Sequence, residues 1–548
     1  MKKITPIDYQ AKIPLEKTIL HNPSPSGEAV PLDVIFVGAG PAGLSGAIKL
    51  AQLVKKHNEG GGNLGDIQIG VLDKAPNLGG HTLSGAVLNP VVLRELFPNL
   101  PDNELPLRTK VAGDAFYFLT ESSSLRIPPP PPMNNHGNYV ASLCEVVRFL
   151  GKKAEELGIN IFSNFPVDSL ITDGKAVTGV RTTPAGLNRD GSPGPQHMPA
   201  NDISARVTVL CDGTRSPLSQ TYCEWQGTQP DHPQIYALGV KEIWKVKKVP
   251  ERVVHTLGYP LPQSAFGGSF LYPMSSDMVA FGLVVGLDYK EHNLDTHKLL
   301  QKLKKHPLFA QYLDGGEIVE WGAKTIPEGG WNSLPKRLHG DGLLIAGDSA
   351  GMVNVPALKG IHYAMQSGVF AAETIFAALV AGDVSAKTLS SYDDKIKNSF
   401  IAKDLYKVRN MRQAFKSGFY SGGIKAGLMT LTGGAFPGDP AHSEEDAAEE
   451  KIYSSQSIDN VGISKVDAVY LSGNKTRDDI PVHLKVGKDI SSEVAEMYAA
   501  LCPAGVYEVQ NGQLVINAPN CVDCKATDVI GPRWQPREGG SGPDYKLM

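Results

Sequence analysis

The sequence predicts a multidomain protein of the α/β and α+β classes. Three observations lead to this fold class. The chain has 548 residues, which is long enough for two or three domains. A strand–helix–strand pattern opens it, and short apolar strands of the same kind return far downstream. A final region of roughly 100 residues, the size of a small domain, carries three of the six cysteines. We therefore expect one domain assembled from separate pieces of chain, with other units inserted between those pieces.

The composition is that of an ordinary globular protein, with 41% hydrophobic and 20% charged residues. The formal net charge of −4 argues against a nucleic-acid partner, because phosphate binding normally needs a basic surface. Six cysteines in so long a chain do not make a disulfide framework, so a reducing compartment is expected. Cys144, Cys211 and Cys223 stand singly in apolar or mixed contexts, and we expect them to be buried small hydrophobic residues.

The first 17 residues have neither the apolar core of a secretory signal nor the Arg- and Ser-rich character of a mitochondrial transit peptide. No run of about 18 apolar residues, the length that a membrane-spanning helix needs, is visible. We expect a bacterial protein on the cytoplasmic side, or an already processed form, without a signal peptide or a transmembrane helix. Attachment to a membrane surface stays possible.

The opening pattern predicts a dinucleotide site. A strand over residues 31–37, a helix over 42–54, a polar glycine-rich insert and a second strand over 67–72 form a βαβ unit. Glycines between the first strand and the helix allow a tight turn, close approach to a pyrophosphate and close helix packing. Asp73, which ends the second strand, can accept hydrogen bonds from ribose hydroxyls. The fingerprint consists of Gly38, Ala39, Gly40, Pro41, Ala42 and Gly43.

Two later strand ends favour FAD over NAD. Apolar strands are predicted over residues 206–211 and 342–346, and each is followed by an acidic residue beside a glycine. Asp348 can accept hydrogen bonds from ribityl hydroxyls, and a helix that begins near Asn354 can face the pyrimidine edge of a flavin. The residues at the two strand ends are Asp212, Gly213, Gly347 and Asp348. A strand, a Gly-Asp pair and a helix that follow a glycine fingerprint are a specific combination for FAD.

The run GGHTLSGA at residues 79–86 is small and polar, which suits close backbone approach to a ring system. Thr82 and Gly85 are the candidate contacts in this run. We interpret His81 as an ordinary hydrogen-bonded histidine rather than an acid–base catalyst, and we assign no catalytic residue. No His- or Cys-linked attachment motif is visible, so FAD is expected to bind non-covalently.

The segments between the flavin pieces have a different character. Residues 128–132 are all proline and cannot form a helix or a central strand. Residues 235–287 alternate apolar residues with glycines and aromatics, which predicts a sheet with strands such as GGSFLY and MVAFGLVVGL. Residues 387–438 begin as helix and then loosen into small residues. An acidic, alanine-rich linker over 442–451 is expected to precede the cysteine-bearing region.

The cysteines of that last region indicate an iron–sulfur site. Cys502 precedes a proline, and Cys521 and Cys524 form a Cys-x-x-Cys pair, an arrangement in which thiolates converge on one cluster. A flavin and a cluster in one chain indicate electron transfer one electron at a time. The next position of the series is Thr527, so the obvious fourth ligand is missing.

Several long segments resemble the electron transfer flavoprotein–ubiquinone oxidoreductase family. They are GGHTLSGA, PMNNHGNYV, GGSFLY, GLVVGLDY, NVPALKGIHYAMQSG, LYKVRN, CPAGVYE and INAPNCVDCK. The resemblance implies FAD, one 4Fe-4S cluster, reduced electron transfer flavoprotein as donor, ubiquinone as acceptor, and a monomer on the membrane surface, here the cytoplasmic face of a bacterial inner membrane. It implies an FAD-binding domain (28–110, 139–230 and 335–400), a mixed-sheet quinone-binding and membrane-facing domain (111–138, 231–334 and 401–440) and a ferredoxin-like iron–sulfur domain (452–548).

The resemblance also implies a quinone loop at Phe266, Gly267 and Gly268. Adjacent glycines can bring backbone donors close to a flat apolar ligand, although a simple strand bulge would give the same pattern. Membrane contact is expected around residues 415–436, unless they form a buried hairpin after a solvated charged helix. The apolar candidates are Phe419, Tyr420, Ile424, Leu428, Met429, Leu431 and Phe436, and the basic flank is Lys403, Lys407, Arg409, Arg412 and Lys416.

Alternatives stay open for the cluster ligands and for the function of the protein. Thr527 is a poor iron ligand because its hydroxyl has a very high pKa, and Asp528 is a second candidate ligand. The outcomes are a four-iron cluster with an oxygen or water ligand, a three-iron cluster, or three cysteines left from a lost site. The alternative functions are an FAD-dependent monooxygenase or isoprenoid reductase of the same superfamily, and a cluster-less degenerate flavoprotein.

Overall fold

A six-stranded sheet organises the first domain. The computed structural model describes residues 3–27, 29–454 and 461–548, apart from the side chains of Ser417, Phe419 and Tyr420. Residue 28, the predicted start of the FAD-binding domain, and residues 455–460 of the predicted iron–sulfur domain lie outside the described residues. In spatial order the strands are Asn160–Ser163, Ile69–Asp73, Val34–Val37, Val207–Leu210, Leu343–Ile345 and His339–Gly340.

The first five of these strands run parallel, and the last pairs antiparallel. Runs such as VIFV and VTVL are continuously apolar because both faces of a parallel sheet are covered. The strand predicted over 31–37 is shorter than expected, since Ala29–Pro31 belongs to another sheet. The predicted helix is longer, Pro41–Glu59, and takes up the first part of the polar insert.

Helix Pro41–Glu59 packs against the long helix Ile361–Ala381, and glycines make that contact close. A Cβ at Gly368 would lie 2.1 Å from the carbonyl oxygen of Ala42, so no larger residue fits there. Within the described residues, Ile361–Ala381 is the one helix long and apolar enough to cross a membrane, but 67% of its apolar window is buried. We therefore describe it as a core helix.

A seven-stranded mixed sheet forms the second domain. The predicted strands GGSFLY and MVAFGLVVGL are confirmed as Gly267–Pro273 and Met278–Gly286. The prolines at 128–132 lie outside the sheet, as expected, and end in a 3₁₀ turn. In spatial order the strands are Glu317–Pro327, Tyr236–Lys245, Met278–Gly286, Gly267–Pro273, Val253–Gly258, Asp114–Leu119 and Ser124–Ile127. All neighbours are antiparallel except the pair Val253–Gly258 and Asp114–Leu119.

Smaller sheets complete the first domain and its surroundings. A five-stranded sheet contains Ile19–His21, Val167–Thr172, Val177–Thr182, Asp202–Ser204 and Ala29–Pro31, and a three-stranded sheet contains Val87–Leu88, Tyr139–Val140 and Thr109–Lys110. Ala185–Leu187 pairs with Pro193–Met198. The other α-helices before the C-terminal region are Val91–Leu96, Leu143–Glu156, Pro217–Gln226, Thr296–Leu303, Pro307–Leu313, Ala386–Leu389, Ser391–Lys397, Phe400–Lys407, Met411–Ala414 and Phe419–Leu431.

The acidic segment 442–451 is not the loose linker that its composition indicates. Asp446 and Ala447 are buried, and the segment ends in a strand, Lys451–Ile452, that pairs with Lys3–Ile4. The ammonium group of Lys451 donates to the carbonyl oxygen of Leu287 at 2.7 Å. The segment is therefore a strap that is fixed to the seven-stranded sheet.

The C-terminal region packs on the same sheet and shares one hydrophobic core with it. It contains helices Lys465–Leu471, Ser492–Leu501 and Ala526–Ile530, a hairpin of Tyr507–Gln510 and Gln513–Ile516, and the strand pair Leu484–Lys485 and Arg533–Trp534. Cys144, Cys211 and Cys223 are buried elsewhere in the chain, which confirms their prediction.

Candidate functional site

A cavity of about 350 Å³ opens at the carboxyl ends of the parallel strands. In an α/β sheet this edge is where ligands normally bind. Eleven of the thirteen predicted cofactor-binding residues line it: Gly38, Ala39, Gly40, Pro41, Ala42, Asp73, Thr82, Gly85, Asp212, Gly213 and Asp348. Gly43 and Gly347 do not line it. A Cβ at Gly43 would lie 2.1 Å from the carbonyl oxygen of Gly38, and one at Gly347 would contact Ala42 and Ala364.

The glycine fingerprint shapes one wall of this cavity. Gly38 has a φ of +110°, and a Cβ there would lie 2.4 Å from the carbonyl oxygen of Cys211. A Cβ at Gly40 would meet nothing within 4 Å, so the space in front of the helix that begins at Pro41 is open. Amide groups at a helix N-terminus attract phosphate. The wall therefore fits the diphosphate of a dinucleotide.

Asp73, the last residue of strand Ile69–Asp73, lines the cavity. Its Oδ2 accepts a hydrogen bond from the amide of Ala39 at 2.8 Å, and its Oδ1 accepts one from the amide of Ala75 at 2.8 Å. Burial raises the pKa of Asp73, and the two amides and nearby lysines oppose the rise. A carboxylate has about four lone-pair sites, so two acceptor positions remain for ribose hydroxyls.

Asp348 also lines the cavity, after strand Leu343–Ile345, which lies three places along the sheet from the strand that Asp73 ends. Burial raises its pKa to about 6, and the charge of Lys324 opposes the rise. The helix that was expected to begin near Asn354 begins at Ile361 instead. Residues 354–359 form a tight turn, in which the amide of Asn354 donates to the carbonyl oxygen of Lys359 at 2.8 Å. The N-terminus of the later helix lines the cavity, so it can still face a flavin ring.

His81 lines the cavity and is buried, but it is not the ordinary hydrogen-bonded histidine that was expected. Neither ring nitrogen has a hydrogen-bond partner among the described residues, and Nδ1 lies 3.7 Å from a carboxylate oxygen of Asp523. Burial lowers the pKa of His81 well below its usual value, assisted by Lys74. The ring is therefore neutral at physiological pH.

The three C-terminal cysteines converge in the core of their domain. Cys502 follows helix Ser492–Leu501, and Cys521 and Cys524 flank a tight turn in which Asp523 has a φ of +53°. All three thiols are buried. Burial raises the pKa of each thiol, to about 12 for Cys524. Iron binding must therefore release protons from these groups.

Tyr507 marks the fourth corner of this site. Its hydroxyl donates to Thr527 Oγ1 at 3.4 Å and is close enough to all three thiols to interact with them electrostatically. Thr527 is 7% exposed, in the first turn of the short helix Ala526–Ile530. The residues present thus fit a cluster that three thiolates hold, with hydroxyl groups at the remaining corner.

Asp528 is not the alternative ligand that the sequence allowed. Its Oδ2 accepts from Arg215 Nε at 2.8 Å, and its Oδ1 accepts from Arg533 Nε at 3.0 Å and from the amide of Trp534 at 2.8 Å. These cations hold the pKa of Asp528 below its usual value against the effect of burial. The carboxylate is therefore committed to two arginines.

Between the cysteine site and the cavity lies a network that the sequence analysis missed. Asp523 accepts from Lys74 Nζ at 2.7 Å, from Arg537 Nη2 at 3.0 Å and from Trp534 Nε1 at 3.0 Å. Its carboxylate, His483 and Cys521 also lie within 4.8 Å of one another. Two cations already neutralise the carboxylate, so a separate metal ion there would be repelled. The signal in the sequence was the acidic residue inside Cys-x-x-Cys.

The backbone joins the two sites as well. The amide of Thr325 donates to the carbonyl oxygen of Cys524 at 3.0 Å, and Lys324 Nζ donates to the carbonyl oxygen of Asp523 at 3.2 Å. Lys324 and Lys525 both line the cavity. The loop that carries two cluster cysteines is therefore one wall of the cavity.

The predicted quinone loop lies at the start of strand Gly267–Pro273 and does not line the cavity at the sheet edge. A Cβ at Gly267 would lie 2.1 Å from the carbonyl oxygen of Val284, and one at Gly268 would lie 2.3 Å from that of Thr256. The packing of the sheet therefore requires both glycines, whatever else they bind. A substitution at either glycine would disturb the packing of the sheet, so its effect could not be attributed to a ligand.

Phe266 makes the contacts that link the loop to neighbouring segments. Its ring centroid lies 5.1 Å from that of Phe415, and the guanidinium of Arg412 lies 4.1 Å from it. Arg412 also pairs with Asp288 at 2.8 Å and with Glu328 at 2.6 Å. Glu328 lines the cavity. The loop thus lies between the cavity and the segment that was expected to face the membrane.

That segment has an exposed apolar side. Leu431 is 85% exposed, and Ile424, Leu428 and Phe436 are exposed too. Met429 is buried against Met411, so its expected membrane contact is wrong. The side chains of Phe419 and Tyr420 lie outside the described residues.

The basic flank is only partly as expected. Arg409 donates to backbone carbonyls of residues 406, 434 and 438, and Arg412 is buried in its two ion pairs, so neither can reach headgroups. Lys416 is exposed but pairs with Glu449 at 2.8 Å. Lys403 and Lys407 are exposed.

Comparison with known proteins gives a consistent result. A family model described as "ETF-QO, ubiquinone-binding" matches residues 236–326, and one described as "Electron transfer flavoprotein-ubiquinone oxidoreductase, 4Fe-4S" matches residues 459–546. The mitochondrial electron transfer flavoprotein-ubiquinone oxidoreductase of Dictyostelium discoideum is 37% identical, over 96% of this chain and 92% of that protein. Its Homo sapiens counterpart is 38% identical, over 94% of this chain and 89% of that protein.

Solved structures share the fold at low identity. A geranylgeranyl bacteriochlorophyll reductase-like protein from Thermoplasma acidophilum aligns with a TM-score of 0.56 and 17% identity, over 74% of this chain and 92% of that one. A flavin-dependent brominase aligns with a TM-score of 0.51 and 16% identity, over 74% of this chain and 94% of that one. Both similarities concern the fold alone.

Proposed function

The chain belongs to the electron transfer flavoprotein–ubiquinone oxidoreductase family, and on that premise we propose that it oxidises reduced electron transfer flavoprotein and reduces ubiquinone. Electrons pass through an iron–sulfur cluster and FAD to the quinone in the membrane. The observation that carries the proposal is the shared wall of the two cofactor sites. The amide of Thr325 donates directly to the carbonyl oxygen of Cys524, and Thr325 and Lys525, the residue after Cys524, both line the flavin cavity.

FAD binds in the cavity at the sheet edge. The fingerprint from Gly38 to Gly43 approaches the diphosphate, Asp73 accepts from ribose hydroxyls and Asp348 accepts from ribityl hydroxyls. When bound, FAD accepts and donates either one or two electrons, which joins a one-electron donor to a two-electron acceptor. The sequence has no His- or Cys-linked attachment motif, so acid precipitation of the protein should release all of the yellow chromophore. Flavin that stays on the polypeptide would contradict this assignment.

Cys502, Cys521 and Cys524 hold the cluster, and Thr527 stands at its fourth corner. What supports this set is that all three thiols are buried and each acts electrostatically on the hydroxyl of Tyr507. The chain excludes water from the site, because the thiols, Tyr507 and Thr527 are all buried. This low-dielectric setting makes cluster assembly depend strongly on the thiolates.

The quinone headgroup binds beside the loop of Phe266, Gly267 and Gly268. Phe266 offers an aromatic face, and its contact with Phe415 places the loop next to the apolar segment of the chain. A quinone that leaves the bilayer there would meet apolar side chains first, which suits its isoprenoid tail.

The protein is a monomer that lies on the cytoplasmic face of a bacterial inner membrane. Support for surface attachment comes from the exposed apolar residues Ile424, Leu428, Leu431 and Phe436, beside the exposed lysines at 403 and 407. The monomeric state follows the family resemblance. The cysteines are unpaired, which suits a reducing compartment.

The deciding experiment measures ubiquinone reduction by reduced electron transfer flavoprotein under anaerobic conditions, together with iron content and electron paramagnetic resonance. We expect turnover in wild type and loss of both turnover and cluster signal in Cys502→Ser. Cys223→Ala, which removes a buried thiol from the core of the first domain, should keep both. Oxidation of a nicotinamide cofactor without any reaction with the donor flavoprotein would support the monooxygenase or reductase alternative instead.

A second test concerns the quinone loop, and it avoids the two glycines. Phe266→Ala should raise the KM for a short-chain ubiquinone several-fold while FAD content stays normal, because only the aromatic face is removed. Tyr312→Ala, which removes a half-buried aromatic ring from the same domain, serves as the control. Equal quinone kinetics in both variants would count against the loop.

A further inference from the structure

Two lysines in the wall of the flavin cavity lack the anionic partner that a buried cation needs. Lys525 is 5% exposed, and its ammonium group donates only to the carbonyl oxygens of Thr214 and Arg215, at 3.1 and 3.2 Å. Lys324 donates only to the carbonyl oxygen of Asp523, at 3.2 Å. Among the described residues neither forms an ion pair. Removing an ammonium group from water is costly unless a counter-charge compensates.

A neighbouring lysine adds to the uncompensated positive charge in this wall of the cavity. Lys74 Nζ lies 4.5 Å and Lys525 Nζ 4.8 Å from the ring centroid of Trp534, so two ammonium groups share one indole. Lys74 has Asp523 as its counter-ion, at 2.7 Å. Among the described residues Lys525 forms no ion pair, and Asp212 and Asp528 act on it only from a greater distance, although Trp534 and all three lysines line the same cavity. An anion in the cavity would remove the imbalance.

The two lysines are placed where they can face the diphosphate in the middle of a bound dinucleotide. Lys324 acts electrostatically on Asp73 and also on Asp348, the two carboxylates assigned to the ribose and the ribityl hydroxyls. Lys525 is anchored to the carbonyls that follow Asp212 and Gly213, next to the fingerprint turn at Gly38. In a bound FAD the diphosphate lies between the ribose and ribityl ends, so a lysine whose charge acts on both carboxylates can also face the diphosphate.

We propose that Lys525 and Lys324 bind the diphosphate of FAD, so that the loop of the cluster cysteines supplies part of the flavin site. The inference rests on the proposed function for the identity of the cofactor. Lys525 directly follows Cys524 and has a φ of +64°, so its direction depends on the tight turn of that loop. Lysine binds phosphate as a point charge. A displacement of the cluster loop would therefore displace a ligand of FAD.

The test compares two flavins on the full-length chain after its FAD has been removed. FAD carries the diphosphate, whereas riboflavin has the same ring and ribityl chain without any phosphate. In Lys525→Met and Lys324→Met the affinity for FAD should fall about 10- to 100-fold, the usual effect of losing a charge-assisted hydrogen bond. The affinity for riboflavin should change by less than about twofold. Lys525→Arg should restore most of the affinity for FAD.

Lys488→Met, which removes an exposed lysine of the same region, is the control and should bind both flavins as wild type does. A parallel loss of FAD and riboflavin affinity in the lysine variants would assign them a structural role and overturn the inference. Unchanged FAD affinity would overturn it as well. These titrations need neither the donor flavoprotein nor quinone, so failure of the electron-transfer assay alone would refute the proposed function and leave this inference standing.

Discussion

Restoring a cysteine at position 527 tests the assignment of the cluster. In Thr527→Cys the side chain keeps nearly the same volume, so packing damage should be small. The variant loses the acceptor of the Tyr507 hydroxyl, which lies 3.4 Å away. A hydrogen bond of this kind contributes about 0.5 to 1.5 kcal/mol. Without iron, the variant should therefore be about 1 kcal/mol less stable than wild type.

With iron bound, we expect the Thr527→Cys variant to be more stable than wild type. Structural zinc sites with four ligands gain about 10 to 16 kcal/mol in total, or about 3 kcal/mol for each ligand, and we take the same magnitude for one thiolate on iron. Subtracting the lost hydrogen bond leaves about 2 kcal/mol, which corresponds to a roughly 30-fold slower loss of iron. A thiolate also donates more charge than an oxygen ligand, so the cluster potential should fall.

The assay measures iron released to a chelator over time, with electron paramagnetic resonance of the anaerobically reduced protein. Thr527→Val is the matched control, because it removes the hydroxyl without adding a thiolate and should lower both iron retention and stability. Electron acceptance from the donor flavoprotein should rise in Thr527→Cys if cluster occupancy limits the wild type. A complete four-iron signal in wild type, with iron loss identical in Thr527→Cys, would refute the assignment of Thr527 as the missing ligand.

Three further outcomes are expected. Arg412→Met should lower the free energy of unfolding by about 3 to 5 kcal/mol in a denaturant titration, because it leaves two buried carboxylates without their partner. Leu431→Asp should weaken binding to anionic vesicles in a flotation assay, whereas Leu125→Asp, at another exposed leucine, should not. Burial lowers the pKa of His255 to about 3, so the protein loses stability as the pH falls from about 6.5 towards 3. His255→Asn should reduce that loss, which thermal unfolding at several pH values would measure; an equal pH dependence in both proteins would contradict it.

The sequence could bring most of the predicted cofactor-binding residues together because its signals are local. A strand, a glycine turn and a helix follow one another between residues 34 and 59, and their geometry depends mainly on these residues themselves. The same holds for the strands GGSFLY and MVAFGLVVGL, whose alternation is visible in short windows. Boundaries were less accurate. The helix expected near Asn354 begins at Ile361, because a tight turn occupies the residues between.

The partners of buried charges could not be predicted, since they come from distant parts of the chain. Asp528 was a candidate ligand in the sequence, but Arg215 binds it from 313 residues away. Lys74 reaches Asp523 across 449 residues. The orientation of the basic residues before the apolar segment could not be predicted either. Arg409 and Arg412 belong to short helices and turns without a clear period, so composition alone could not show that they point inward.

One strand contacts the proposed cluster, flavin and quinone sites, and this arrangement accounts for the order in which they lie. Strand Glu317–Pro327 is the edge of the seven-stranded sheet, and an edge strand normally leaves backbone groups unpaired. Here the cluster loop covers that edge, since the amide of Thr325 donates to the carbonyl oxygen of Cys524. The adjacent Lys324 lines the flavin cavity. Glu328, just beyond the strand, holds Arg412 against Phe266 of the quinone loop. A rigid strand thus fixes the spacing of donor, flavin and acceptor sites, which electron transfer through them requires.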